Sequence, residues 1–169
     1  MSSLALDAEA LYVDLLAGVR ALLQDDALLV GVWSGGAWLA ERLQRDLNRP
    51  GAHGVISSTL HRDDYRSRGL AAGAEATRLP VAIDGRAIVL VDDVLFTGRT
   101  IAASLDALKD VGRPRIVQLA VLIDRGHRQL PIQADHVGKQ VQVPPDARVN
   151  VRLAEIDEAD TVTISLTEV

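Results

Sequence analysis

Two rhythms of apolar residues run along this chain. Leu11, Leu15, Leu16, Val19, Leu22 and Leu23 recur every three or four positions, which predicts an amphipathic helix over residues 7–24. The pattern then changes. Residues 27–33 (ALLVGVW), 87–91 (AIVLV) and 115–123 (RIVQLAVLI) are nearly unbroken apolar runs, and each reads as a strand buried on both faces. Between the first two lie a helix over roughly 37–47, ended by Asn48 and Pro50, and a strand-like stretch at 54–60. A helix over roughly 100–110 is closed by Gly112 and Pro114. Val149, Val151 and Leu153, then Val162, Ile164 and Leu166, alternate with polar residues as half-buried strands do. Strands alternating with helices predict an α/β fold, a parallel sheet covered on both faces. Residues 61–80 break the pattern. They are charged, aperiodic and longer than an ordinary connection, as lids and functional loops often are.

Composition narrows this picture. A chain of 169 residues is long enough for one well-buried domain and short for two, so residues 1–169 are expected to form a single domain. With 48% hydrophobic but only 3% aromatic residues, the core must be aliphatic. No apolar run approaches the roughly 20 residues of a membrane span. The N-terminal MSSLALDAEALYVDL lacks the positive region of a signal peptide, so a cytoplasmic location and no membrane partner are expected. The absence of cysteine excludes disulfides, a thiol nucleophile and a thiolate zinc site. A net charge of −5 argues against general nucleic-acid affinity.

The chemistry concentrates in residues 87–101, AIVLVDDVLFTGRTI. Ligands of open α/β sheets bind beyond the carboxyl ends of the strands, where Asp92 and Asp93 stand. A single such Asp commonly caps a helix or pairs with an Arg. Two adjacent ones are sent to opposite sides by strand alternation, and their like charges need compensation. The following turn supplies the hydroxyls of Thr97 and Thr100, the Arg99 guanidinium and a mobile backbone at Gly98. It opens onto a helix N-terminus, which favours an anion. A phosphate on the turn and vicinal hydroxyls on the carboxylates describe a ribose 5-phosphate. Neither the P-loop pattern nor GxGxxG occurs here.

VLVDDVLFTGRT resembles the phosphoribosyl-pyrophosphate (PRPP) motif of the type I phosphoribosyltransferases. DVGRPRIVQLAVLIDRGHRQLPIQADHVGK resembles one branch of them, the PyrR family of pyrimidine-operon attenuators and uracil phosphoribosyltransferases. The likeness spans residues 28–166. It implies the type I phosphoribosyltransferase fold: a central, mostly parallel sheet flanked by helices, a small hood and a flexible lid loop. It implies that Asp92 and Asp93 hold the ribose hydroxyls of PRPP, and that Val94, Leu95, Phe96, Thr97, Gly98, Arg99 and Thr100 cradle its 5-phosphate. Purine-specific relatives often carry Asp where Phe96 stands; the apolar ring suits a pyrimidine, or simply packs.

Ser34, Gly35 and Gly36, after the first strand, match the loop that grips pyrophosphate through backbone N–H groups. PyrR proteins commonly show Thr-Arg-Gly there, and the missing Arg implies weaker PRPP binding or slower turnover. Arg62, in TLHRDDY, matches the lid. Arg125 and Val137 match the base pocket that reads uracil. Magnesium is implied as the companion of PRPP, with no metal site built by the protein. His127 and His136 read as polar contacts, and Trp33 and Trp38 as core or subunit packing.

The resemblance leaves two roles open. One is an enzyme that makes UMP and pyrophosphate from uracil and PRPP. The other is a non-catalytic UMP- or UTP-sensing attenuator that binds pyr mRNA. RNA-binding members carry an arginine-rich first helix, whereas this one holds only Arg20, and Gln133 stands where relatives often have Arg. A homodimer or larger homo-oligomer is also implied.

Overall fold

The structure, a computed structural model, describes residues 6–57, 77–153 and 162–167. The three apolar runs form the centre of a five-stranded sheet. Its strands are β1 (Leu28–Val32), β2 (Gly54–Ile56), β3 (Ala87–Leu95), β4 (Ile116–Asp124) and β5 (His136–Gln140), all parallel, in the order β2-β1-β3-β4-β5. The helices are α1 (Ala8–Leu22), α2 (Gly35–Asp46) and α3 (Arg99–Val111).

Alternation along β3 divides the core in two. Val89 and Val91 join Leu29 and Leu122 beneath Leu15 and Val19 of α1 and Leu39 and Leu43 of α2. Ile88 and Leu90 join Val30 and Val121 beneath Ile101 and Leu108 of α3. Each fully buried aliphatic side chain contributes ~1.5–3 kcal/mol relative to exposure. This covering of both faces is why the central strands contain so few polar residues.

Local signals set the helix ends. The Asp7 carboxylate accepts the Ala10 N–H at 3.1 Å and caps α1. Asn48, left-handed at φ 52°, ends α2. Across the two helices, Tyr12 donates to Asp46 at 2.6 Å, and the Arg42 guanidinium lies 3.7 Å from the Tyr12 ring while bonding Glu9. A smaller antiparallel sheet pairs β6 (Arg148–Leu153) with β7 (Val162–Thr167), and Val149 and Val151 pack against the α1–α2 core.

Sequence and structure part in three places. β5 was not expected as a strand: it is a polar edge strand whose one large apolar residue is Val137. β2 spans three residues, and positions 58–60 of the expected strand lie outside the described residues. α2 begins at Gly35, two residues early, because the Ser34 carbonyl already accepts the Trp38 N–H and starts the helical ladder there. Most of the expected lid, Arg62 included, lies outside the described residues. The described chain on either side of it is clasped: Val55 and Arg78 exchange both backbone hydrogen bonds at 2.7 and 2.8 Å, and the Ser57 N–H donates to the Thr77 hydroxyl at 3.0 Å.

The strand order has a consequence for ligands. From β1 the chain steps to β2 on one side, and the later strands build out from β1's other side. The loops after β1 and β3 therefore diverge and leave a crevice at the carboxyl end of the sheet.

Candidate active site

β3 pairs with β1 only as far as Val91, so Asp92 and Asp93 project beyond that edge into the crevice. Each carboxylate accepts the next backbone N–H: Asp92 Oδ1 from Asp93 at 2.9 Å, and Asp93 Oδ1 from Val94 at 2.8 Å. These bonds fix both side chains, and alternation sends them to different hollows. Asp92, only 6% exposed, lines a hollow of about 100 Å³ with Val94, Leu95, Phe96, Thr97, Gly98 and Thr100. Asp93 lines a larger one of about 620 Å³ with Ser34 and Gly35.

Each of these hollows meets a helix N-terminus. α3 starts after Gly98, which adopts φ 91° and has Ile132 where a Cβ would come within 3.0 Å, so only glycine suits the position. The Thr97 hydroxyl accepts the Arg99 N–H at 3.2 Å, and the first helical acceptor, the Gly98 carbonyl, takes the Ala102 N–H. The Thr100 and Ile101 amides are left without an acceptor in the helix, at its positive pole. α2 starts after Ser34, whose side chain makes no capping bond. The Ser34 carbonyl accepts from Trp38, leaving the Gly35, Gly36 and Ala37 amides likewise available to an anion. This loop sits tight against β3: a Cβ on Gly35 would lie 2.4 Å from Asp93 Oδ2, and one on Gly36 2.2 Å from the Val91 carbonyl.

The phosphate turn rests on the segment after β4. Gln129 and Leu130 donate their N–H groups to the Thr97 carbonyl at 2.9 and 3.2 Å, and Arg99 Nε donates to Gln129 at 2.9 Å. Arg128 binds the Phe96 carbonyl at 2.7 Å, the Ile132 carbonyl at 2.8 Å and Asp124 at 2.6 Å. None of this buttress was expected from the sequence. DRGHRQLP gave the signal of a polar stretch at a strand end and, by resemblance, of a region that reads the base.

A third hollow, of about 500 Å³, opens beyond β4 and β5 and is lined by Arg125, Gly126, His127, Val141, Gln142, Val143 and Pro144. Arg125 is 5% exposed, and its guanidinium donates to the carbonyls of Ala147, Pro144 and Pro145 while lying 3.9 Å from the Phe96 ring. Burial pulls its pKa below the usual arginine value. Phe96 of the second hollow and Arg125 of the third are thus in contact where the two hollows approach each other. Val137 faces the α3-side core and lines none of the three. Trp38 is buried in the core, and Trp33 is 52% exposed at the large cavity.

A family model, the phosphoribosyl transferase domain, matches residues 14–156. "Bifunctional protein PyrR" of Ralstonia nicotianae is 47% identical over 156 residues, covering 90% of this chain and 89% of that protein. The protein of the same name from Roseiflexus is 53% identical over 145 residues, covering 83% and 76%. The chain belongs to the phosphoribosyltransferase family, in its PyrR branch.

Solved phosphoribosyltransferases share the architecture at much lower identity. A hypoxanthine-guanine phosphoribosyltransferase from Bacillus anthracis has a TM-score of 0.68 at 19% identity, covering 99% of this chain and 98% of that one. A hypoxanthine phosphoribosyltransferase from Trypanosoma cruzi gives 0.64 at 19% identity, covering 99% and 90%. At such identity the likeness speaks for the phosphoribosyltransferase fold alone. Among the described residues, no three His, Asp or Glu side chains are grouped to hold a metal, and no helix is long and apolar enough to cross a membrane. Phosphoribosyltransferases generally use magnesium together with PRPP, an ion that commonly takes one or two carboxylates and completes its octahedron with water and substrate phosphates.

Proposed function

We propose that this chain transfers the 5-phosphoribosyl group of PRPP to uracil, giving UMP and pyrophosphate. One observation carries the reading: two carboxylates fixed at the tip of β3, each turned to a hollow that ends on an uncapped helix N-terminus. That is the complement of a diol flanked by two phosphate groups. The α3 N-terminus with Thr97 and Thr100 seats the 5-phosphate. The α2 N-terminus seats the pyrophosphate through the amides of Gly35 and Gly36. Asp92 and Asp93 hold the ribose hydroxyls between them.

The bond from C1 to the pyrophosphate oxygen breaks, and a bond from C1 to N1 of uracil forms as the N1 proton leaves to solvent. As the leaving bond stretches, the ribose ring gains positive charge, which the two preorganised carboxylates stabilise. The departing oxygens gain negative charge, which the α2 amides meet. Magnesium carried by PRPP supplies further charge neutralisation. The third hollow is the base seat, where the Gln142 amide and the backbone around it match the amide edge of a pyrimidine. Arg125 then acts by holding the 144–147 turn and backing Phe96. Arg62 belongs to the same proposal as the group that closes over PRPP.

The sensing role comes from the relatives, whose name calls them bifunctional. The same pocket, filled with UMP or UTP, is the natural receptor for control of pyr-operon expression. Uracil and magnesium-PRPP should yield UMP with the parent chain, and Asp93→Asn should lower kcat by about 100-fold or more, as removal of a charge-stabilising group does. No turnover, with UMP binding that Asp93→Asn abolishes, would instead make the chain a sensor without the chemistry.

A further inference from the structure

The pyrophosphate seat has an unusual distribution of charge. Its own loop offers only backbone amides and the Ser34 hydroxyl, because Gly35 and Gly36 have no room for a side chain. Across the same cavity stand Glu41, His53 and Arg78, with Trp33, Trp38, Val55 and Val151 completing the wall alongside Asp93. Glu41 and Asp93 repel a pyrophosphate unless magnesium lies between. His53 is drawn toward its neutral form by burial. Among the described residues lining this cavity, the one permanent cation is Arg78.

Its placement suits that role. The Arg78 backbone is fixed at the sheet edge by its two hydrogen bonds to Val55, so the side chain has a defined origin. Among the described residues its guanidinium makes no hydrogen bond or ion pair, unlike those of Arg42, Arg115, Arg125 and Arg128. An exposed arginine held at the rim of a cavity that contains two carboxylates and a helix N-terminus is available to a ligand.

We propose that Arg78 binds the pyrophosphate group of PRPP, supplying from the β2 edge the guanidinium that the loop after β1 lacks. This rests on the transfer reaction proposed above. It makes the seat two-sided, with amides of α2 on one side and a forked cation on the other. It also links the clasp at Val55–Arg78 directly to substrate: the residue that ties the two flanks of 58–76 is the one that meets the leaving group.

The test is calorimetric titration of the full chain, Arg78→Gln and Arg78→Lys with PRPP and with pyrophosphate, each with magnesium, and with UMP. Arg78→Gln should weaken PRPP and pyrophosphate by roughly tenfold or more. UMP, which has no pyrophosphate, should bind within about twofold of the parent and certifies folding. Arg78→Lys should recover part of the loss, because an ammonium keeps the charge without the fork. PRPP and pyrophosphate affinities unchanged in Arg78→Gln, beside a parent that binds both, would overturn the assignment alone. An equal loss for UMP would also overturn it, by making Arg78 a structural residue. A parent that binds neither PRPP nor UMP would bring down the transfer reaction itself, and this assignment with it.

Discussion

Asp93 shows how much of this site is backbone. Its carboxylate lies where a side chain on Gly35 would have to be, so the loop after β1 and the tip of β3 fit only because one of them has no Cβ. That much was legible: an acidic pair at a strand end and paired glycines after another strand have few joint explanations. Arg125 was not. A sequence shows a cation beside a pocket but not the three carbonyls of a distant turn that occupy it. His53 was silent for a similar reason, since only the pairing of β2 with β1 brings it to the cavity. Burial lowers its pKa below 6.5; Glu41 opposes the shift and Arg78 adds to it. The unfolded chain therefore takes up a proton at this residue more readily than the folded one. The folded state loses stability from His53 as pH falls from about 6.5 toward the lowered value, and above that range the group has no effect. Urea midpoints at about pH 7.5 and 5.5 should fall less in His53→Gln than in the parent; equal falls would place the acid sensitivity elsewhere.

At the level of elements, β1, β3 and β4 announced themselves because strands buried on both faces must be apolar throughout. β5 did not, since an edge strand needs only backbone pairing on one side, and HVGKQ carries little periodic signal. α1 covers it closely: a Cβ on Gly18 would lie 2.3 Å from the His136 ring, and Asp14 meets His136 at 3.1 Å. The segment from β4 to β5 was expected to serve the base, yet much of it carries the phosphate turn. Arg128 is the tie between Asp124 at the end of β4 and the Phe96 carbonyl at the start of the turn. Arg128→Ala should cost about 1.5–3 kcal/mol in unfolding free energy, as loss of charged hydrogen bonds does. Its UMP affinity should fall by roughly tenfold through the loosened turn, with Arg128→Lys recovering little because it cannot reproduce the three-way contact. Unfolding by denaturant and UMP titration on the same samples check both parts; a loss of stability with UMP affinity intact would separate the tie from the turn.

Over the whole molecule, helix–strand alternation was enough to give the layers, but not the order of the strands. Order decides where the crevice opens, and it is set by which edges pair, a long-range choice with no local mark in residues such as Val30 and Gly54. That order also interleaves the two parts of the chain on either side of 58–76. The first part contributes β1, whose neighbours are β2 from its own part and β3 from the other, and it lends α1 to cover β4 and β5. Neither part can bury its apolar surface alone, because the core beneath α1 and α2 draws side chains from both. Cutting the covalent thread between them should thus leave their association intact. Residues 1–66 and 67–169, produced as separate polypeptides in one cell, should find each other and co-purify as a one-to-one pair that still binds UMP, which would make this fold a natural split reporter. Halves recovered only as aggregates would mean that the connection itself is required to bring β1 and β3 together.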